Sequence, residues 1–197
     1  MTHLTFGFHY NGDTPIPKNV IHLSFGYFYN KSTLIPNNVT HLEFGHTYNH
    51  PTPIPNSVTH LKFGHGYNQL TPTPIPNSVT HLEFGQDYNQ QTPIPNSVTD
   101  LKFGCAYNQP TPIPNRVINL TFGMRYNQPT PLPNSVTNLT FGNDYNQSVL
   151  IPPSATNIKF GTRYNQQTPT PKNVVKSIND KTTLPKNILH FIQYLAR

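Results

Sequence analysis

The chain has 197 residues, of which 22 are proline, none is tryptophan and 10% are charged, and its formal net charge is +6 at pH 7. The positive excess lies after residue 158, since the first 158 residues hold six Lys and Arg against six Asp and Glu, which argues against a nucleic-acid groove along most of the chain. A single cysteine excludes a disulfide framework within the chain, and no apolar run approaches the length of a membrane helix.

The first predicted element is a short β-strand near the N-terminus, in the segment Thr-His-Leu-Thr-Phe that begins at Thr2. Leu4 and Phe6 are two residues apart and flank a polar residue, which is the alternation of a strand with one buried face. A strand at the edge of a sheet exposes unpaired backbone groups. This first strand is therefore a candidate for self-association with another molecule.

The same strand pattern recurs along the chain, each time ending in Phe-Gly. The interval is 19 residues, with a single interval of 21 residues whose extra pair falls between Gln69 and Pro74. The Phe residues are Phe6, Phe25, Phe44, Phe63, Phe84, Phe103, Phe122, Phe141 and Phe160. Such a period predicts a tandem array in which each unit packs on its neighbours.

The residues after each strand predict turns and an extended return. The Gly that follows each Phe indicates a backbone position that needs positive φ or that lets adjacent coils approach closely. In the Tyr-Asn pair that comes next, we expect the ring to be buried and the Asn amide to bond turn backbone from coil to coil as a ladder. Prolines two residues apart, as in Pro93 and Pro95, exclude a helix in the return.

The predicted fold is therefore an all-β-rich solenoid with coils of about 19 residues, one parallel strand per coil and helix-free returns. A weak tenth unit lies around Val174, and apolar residues from Ile188 to Leu195 suit a short cap. We divide the chain into a repeat solenoid, residues 1–171, and a degenerate repeat with a C-terminal cap, residues 172–197. An alternative function is the binding of nucleic acid or of an acidic surface through the basic C-terminal end of the chain.

The repeated unit, Leu-x-Phe-Gly-x-x-Tyr-Asn-Gln followed by Ile-Pro-Asn-Ser-Val-Thr, resembles the FNIP repeat proteins of social amoebae and of giant viruses that infect amoebae. That family is allied to leucine-rich repeats, and the resemblance covers residues 2 to about 171. Family members often join the repeats to an F-box that recruits a ubiquitin ligase and leave the repeats to hold a target; no F-box segment precedes Thr2. The resemblance thus implies a leucine-rich-repeat-like, protein-binding scaffold. We expect it in the cytoplasm, the host cytoplasm if the protein is viral, because the lone cysteine suits a reducing compartment.

Two columns of side chains are predicted to point outward from the strands. The first, which we call the histidine column, contains His3, His22, His41, His60, His81, Asp100, Asn119, Asn138 and Asn157. The second, the charge column, contains Thr5, Ser24, Glu43, Lys62, Glu83, Lys102, Thr121, Thr140 and Lys159. Alternating signs from Glu43 to Lys102 would place opposite charges side by side and contribute about 0.2–1 kcal/mol per pair.

Five stacked imidazoles predict a surface that titrates near neutral pH, below the ordinary imidazole value, because each protonation disfavours the next. Zinc requires ligands that converge in a tetrahedron, whereas a column holds its side chains parallel. We therefore interpret the histidine column as a polar surface row and expect no metal site.

The two residues after each Gly, which we call the turn pair, vary from unit to unit. Fixed positions build the coil of a repeat protein and variable ones face partners, so the turn pairs and the two columns are the candidate binding positions. The candidates are His41, Glu43, His60, Lys62, His81, Glu83, Asp100 and Lys102 in the columns, and His46, His65, Asp87 and Arg125 in the turn pairs. The partner is predicted to be a protein; an inert or self-associating array is the alternative.

An enzyme would need a nucleophile with a base, paired carboxylates or a phosphate-binding loop, and the repeats contain none of these motifs. Cys105, with His81 and Asp100 nearby in sequence, is the one combination that suggests catalysis. A single Cys in a variable position is more often accidental than catalytic. We expect no enzymatic activity, no catalytic residue and no cofactor.

Overall fold

The computed structural model describes residues 2–69, 74–172 and 174–178, which wind into a solenoid with one short strand per coil. The strands form one ten-stranded parallel sheet in which each strand pairs with its neighbours in sequence order. They are β1 (His3–Thr5), β2 (His22–Ser24), β3 (His41–Glu43), β4 (His60–Lys62), β5 (His81–Glu83), β6 (Asp100–Lys102), β7 (Asn119–Thr121), β8 (Asn138–Thr140), β9 (Asn157–Phe160) and β10 (Val175–Ile178). Helix is absent from the described residues. The expected parallel solenoid with helix-free returns is thus confirmed.

The pairing register places equivalent residues of successive units side by side. Leu42 pairs with Leu61, and Glu43 with Lys62, so each repeat position becomes a straight column across the sheet. Period-2 alternation then sends the central Leu of each strand inward and its two flanking residues outward. We number the coils by their strands.

The core is a set of ladders that run along the solenoid. In coil 5, Val79, Leu82, Phe84 and Tyr88 are all at most 2% exposed. The Phe rings of neighbouring coils stack with centroids 5.4–5.7 Å apart, and each lies against the Tyr ring of its own coil. Each coil therefore completes its burial only through the coils on either side.

Close backbone approach explains the Gly after each Phe. A methyl group on Gly104 would lie 1.9 Å from the carbonyl oxygen of Gly85, far inside contact distance. At Gly7, in the first coil, a methyl group would meet nothing within 4 Å. Of the two roles predicted for this glycine, the structure therefore selects close approach.

Hydrogen-bond ladders satisfy the turns, as predicted for the Tyr-Asn pair. The Asn49 N–H donates to Asn30 Oδ1 at 3.0 Å, and the same bond repeats from Asn11 to Asn165. A second pattern was not predicted: the buried Tyr hydroxyl bonds a Thr hydroxyl four residues later, as Tyr107 does with Thr111. Burial raises the pKa of Tyr107 to about 12, against a lowering effect of the Thr111 hydrogen bond.

The coils fan out from the strand face into the core. Neighbouring rings are 4.1–4.2 Å apart in the histidine column, 5.4–5.7 Å apart in the Phe ladder and 6.0–6.3 Å apart in the Tyr ladder. Strands in a sheet are about 4.8 Å apart, so the coils are closer than that outside the sheet and farther apart inside it. The exposed strand face is therefore concave.

Two predicted features lie partly or wholly outside the described residues. β10 occupies the place of the weak tenth unit, whereas the proposed cap from Ile188 to Leu195 falls in the undescribed segment after residue 178. The two-residue insertion lies largely within undescribed residues 70–73.

Candidate binding face

The concave face carries three parallel rows of side chains: the histidine column, the charge column and the first residues of the turn pairs. Two grooves run between them. A groove of about 580 Å³ lies between the histidine and charge columns over β1 to β7, with the strand backbone around the buried Leu residues as its floor. A second groove of about 400 Å³ lies between the charge column and the turn pairs.

The five imidazoles of the histidine column form one continuous stack. Their ring centroids are 4.1–4.2 Å apart and successive planes differ by 11–21°. The concave curvature brings the rings to van der Waals separation. The candidates His41, His60 and His81 thus form one edge of the larger groove.

Threonines fix how these rings are turned. Thr59 Oγ1 donates to the backbone oxygen of Thr40 at 3.2 Å and lies 2.9 Å from His60 Nδ1. A hydroxyl has one hydrogen, so with that hydrogen on the carbonyl, Oγ1 accepts a hydrogen bond from Nδ1–H. Thr80 holds His81 in the same way. In this tautomer the neutral imidazole keeps Nε2 as a hydrogen-bond acceptor.

Burial and mutual repulsion both act on the central imidazoles. Burial lowers the pKa of His41 and His60, and the charges of neighbouring histidines lower it further. For His60 the carboxylate of Asp100 acts in the opposite direction. The predicted direction is therefore confirmed at these two residues, but desolvation is a larger cause than the repulsion from which it was predicted.

Beyond His81 the column continues as a hydrogen-bonded chain that ends on a carboxylate. Asn138 Nδ2 donates to Asn119 Oδ1, and Asn119 Nδ2 donates to Asp100 Oδ1, both at 2.6 Å. The other oxygen, Asp100 Oδ2, accepts from Thr99 at 2.7 Å and lies 3.4 Å from His81 Nε2. Asp100 is thus the junction between the imidazole stack and the amide ladder.

The charge column forms ion pairs between coils. Lys62 Nζ lies 2.6 Å from Glu43 Oε1, and Lys102 Nζ lies 2.9 Å from Glu83 Oε1. The hydrogen bond to Glu43 raises the pKa of Lys62, against a lowering effect of burial. All four side chains are more than a third exposed, so these pairs contribute little to stability and remain accessible.

The turn pairs of the first coils form a further ring ladder. The His46 ring stacks on Tyr27 and lies tilted against His65, with centroids 4.2 Å apart in both contacts. His65 Nε2 lies 3.8 Å from Asp87 Oδ1. The exposed ring of Phe8 extends this ladder through Tyr27. The sequence interpretation did not single out this aromatic run, although its spacing of 19 residues was visible.

Other candidates are less closely grouped. Arg125 is exposed in the turn pair of coil 7, outside the linings of both grooves. Cys105 lines the second groove, whereas His81 and Asp100 line the first, so the charge column separates them. In the described part of the chain, no group of three or more His, Cys, Asp or Glu side chains is arranged to hold a metal ion.

Charge is concentrated on this face. Between residues 39 and 106 the chain has six charged residues, and every one belongs to the histidine column, the charge column or a turn pair. They are Glu43, Lys62, Glu83, Asp87, Asp100 and Lys102. The three returns between β3 and β6 carry no Asp, Glu, Lys or Arg.

Comparisons with known proteins agree with this architecture. The model of the FNIP repeat matches six overlapping or adjoining segments: residues 10–47, 29–66, 48–87, 67–106, 107–144 and 126–162. The chain is also similar to CroV588, a giant-virus protein whose crystal structure is described as a novel circular leucine-rich-repeat protein structure, with 32% identity and a TM-score of 0.74. That similarity covers 93% of this chain and 35% of CroV588, so the chain spans about a third of the length of that protein.

A comparison with curated proteins finds no match. None of the described residues forms a helix with the length and hydropathy needed to cross a membrane.

Proposed function

The chain belongs to the FNIP repeat family, and from that premise we propose that it is a non-catalytic scaffold whose concave face binds a partner protein. Repeat solenoids of this kind generally serve as interaction scaffolds, since their curvature creates an extended concave surface. As the sequence analysis predicts, we propose that the partner is a protein and that the chain binds it in the cytoplasm.

The observation that carries this proposal is the placement of charge. Between residues 39 and 106, which include β3 to β6 and the three returns between them, the charged side chains lie on the strand face and its adjoining turn pairs, while those three returns are uncharged. Fold stability gives no reason for this one-sided distribution, because exposed ion pairs stabilise a protein little wherever they stand. A binding surface does explain the one-sided distribution, because complementary charges orient a partner and select among partners.

The groove between the two columns supports the same conclusion. It is about 580 Å³ in volume and is bordered by imidazole edges on one side and by Glu-Lys pairs on the other. Pockets of this size lie within the range that proteins use to bury ligand groups. A partner can therefore insert side chains between the columns and hydrogen-bond both edges.

The test exchanges the charges of one ion pair on the face and of one pair elsewhere. In the first variant Glu83→Lys is combined with Lys102→Glu, and in the control Asp13→Lys is combined with Lys31→Asp, whose side chains are 3.0 Å apart in the loops after Tyr-Asn. Both exchanges keep the net charge and the possibility of pairing. Capture of partner protein from cytoplasmic extract should fall about tenfold or more for the first variant and stay unchanged for the control.

The capture assay is run at a concentration at which sedimentation velocity shows a monomer, so that self-association through the edge strand β1 does not contribute. Equal capture by both variants and the parent would show that the concave face is not the binding surface.

A further inference from the structure

The charges of the central concave face do not balance. The strands β3 to β6 and their turn pairs carry four carboxylates and two lysines, and each lysine is already paired with a glutamate of the charge column. The two carboxylates left without a lysine are Asp87 and Asp100, each beside a histidine Nε2, at 3.8 and 3.4 Å. With neutral imidazoles, this part of the face has two uncompensated negative charges.

The geometry at Asp100 favours a hydrogen-bond donor from outside. With the Thr80 hydrogen on the Thr59 carbonyl, His81 Nδ1–H donates to the Thr80 hydroxyl and Nε2 is an acceptor; Asp100 Oδ2, also an acceptor, lies 3.4 Å away. Two acceptors so close repel unless a hydrogen lies between them or bridges both. An ammonium or guanidinium group supplies donors to both atoms and a positive charge to the carboxylate.

Resting on the function proposed above, we infer that the partner presents a basic segment, whose Lys or Arg side chains enter the groove and donate to Asp100 and His81. Asp87, in the turn pair of the same coil as His81, supplies a second anion at the edge of the face. The neutral acceptor edges of His41 and His60 extend the same preference for donors along the groove.

Protons compete with such a segment. Protonation of His81 puts a hydrogen on Nε2 toward Asp100 and neutralises the carboxylate that holds the partner's cation. The charged groups that face His81 are His60 on β4, Asp100 on β6 and Glu83 on its own strand, with Lys102 bonded to that glutamate. As the imidazole stack gains charge it repels a basic segment, so binding is lost on acidification.

The experiment uses the full chain and two fluorescein-labelled peptides, one of alternating arginine and serine and one with glutamate in place of arginine. At about pH 7.5 and low salt, fluorescence anisotropy should show the arginine peptide binding about tenfold or more tighter than the glutamate peptide. At about pH 5.5 the arginine peptide should weaken by a similar factor.

Variants matched in charge change locate the site. Asp87→Asn with Asp100→Asn should weaken the arginine peptide about tenfold or more, since charged hydrogen bonds are lost. Asn at position 100 continues the column formed by Asn119 and Asn138, so the fold is retained. Asp100→Asn alone should also weaken the peptide, and its match is Asp13→Asn, which removes a carboxylate paired with Lys31 outside the candidate binding positions and should leave the affinity unchanged.

Equal weakening by Asp100→Asn and Asp13→Asn would show non-specific attraction and overturn the inference, as would tighter binding of the glutamate peptide. If the glutamate peptide binds and the Glu83–Lys102 exchange abolishes that binding, the concave face is the binding surface but its partner is acidic. That result would remove the inference and leave the proposed function in place.

Discussion

Tyr145 departs from the hydrogen-bonding pattern of the repeat. In seven coils the Tyr hydroxyl bonds a Thr four residues later, but Val149 occupies that position after Tyr145. The Tyr145 hydroxyl is buried without a partner, and burial raises its pKa. An unsatisfied buried hydroxyl costs about 1–3 kcal/mol.

Val149→Thr should therefore stabilise the protein by about 1 kcal/mol, because it provides the missing partner at nearly equal volume. The matched control is Thr111→Val, which removes the partner of Tyr107 and should destabilise by about 1–3 kcal/mol. Urea denaturation followed by far-ultraviolet circular dichroism measures both. A loss of stability in Val149→Thr would contradict the role assigned to the pair.

The sequence permitted a correct prediction of the residues that point inward, because alternation of Leu and Phe around a polar residue has one simple explanation. It did not reveal the Tyr-Thr bond, although a Thr stands four residues after the Tyr in eight of the nine units. Neither the tautomers of the histidines nor the junction at Asp100 could be predicted, since both depend on how far apart the coils lie on the concave side.

From the second coil onward, neighbouring coils leave no room for a side chain at the glycine that follows each Phe. From Gly26 to Gly161, a methyl group on the Gly after Phe would lie 1.7–2.2 Å from a carbonyl oxygen of the preceding coil. That oxygen belongs to backbone and cannot move without separating the coils. This contact therefore limits how closely two elements of the solenoid can approach.

Gly104→Ala should destabilise the protein by about 3 kcal/mol or more, because the methyl group forces the fifth and sixth coils apart. Gly7→Ala is the matched control, since its methyl group meets nothing within 4 Å, and it should change the stability by less than about 0.5 kcal/mol. Differential scanning calorimetry of both variants is the measurement. Similar melting of Gly104→Ala and the parent would mean that the coils are not packed as described.

Across the whole molecule, the histidine column makes stability depend on pH. The pKa values of His41 and His60 are lowered on folding, so the unfolded chain binds more protons as the pH falls. Their contribution is fully present above the unfolded value of about 6.5 and is lost as the pH falls through the folded values.

The melting temperature should thus fall between about pH 7 and 5, and less so when His41→Asn and His60→Asn are combined. His9→Asn, outside the column, should leave the pH dependence of the parent unchanged. A parent protein whose melting temperature is constant or rises on acidification would refute this assignment.

The architecture was predictable at this scale because a 19-residue period with prolines in the return admits few alternatives to a parallel solenoid. Its curvature was not, since no single unit encodes it. The curvature shows in the spacing between equivalent rings of neighbouring coils, which rises from the histidine column through the Phe ladder to the Tyr ladder and exists only once the coils are assembled.

Because every coil is a wedge of nearly the same shape, the number of coils sets the angle that the solenoid subtends, while its radius stays constant. Duplication or loss of one 19-residue unit would then alter how far the protein reaches around another body without altering the chemistry of any single coil. Related proteins that differ only in their number of repeats would therefore contact curved surfaces of the same radius over arcs of different length.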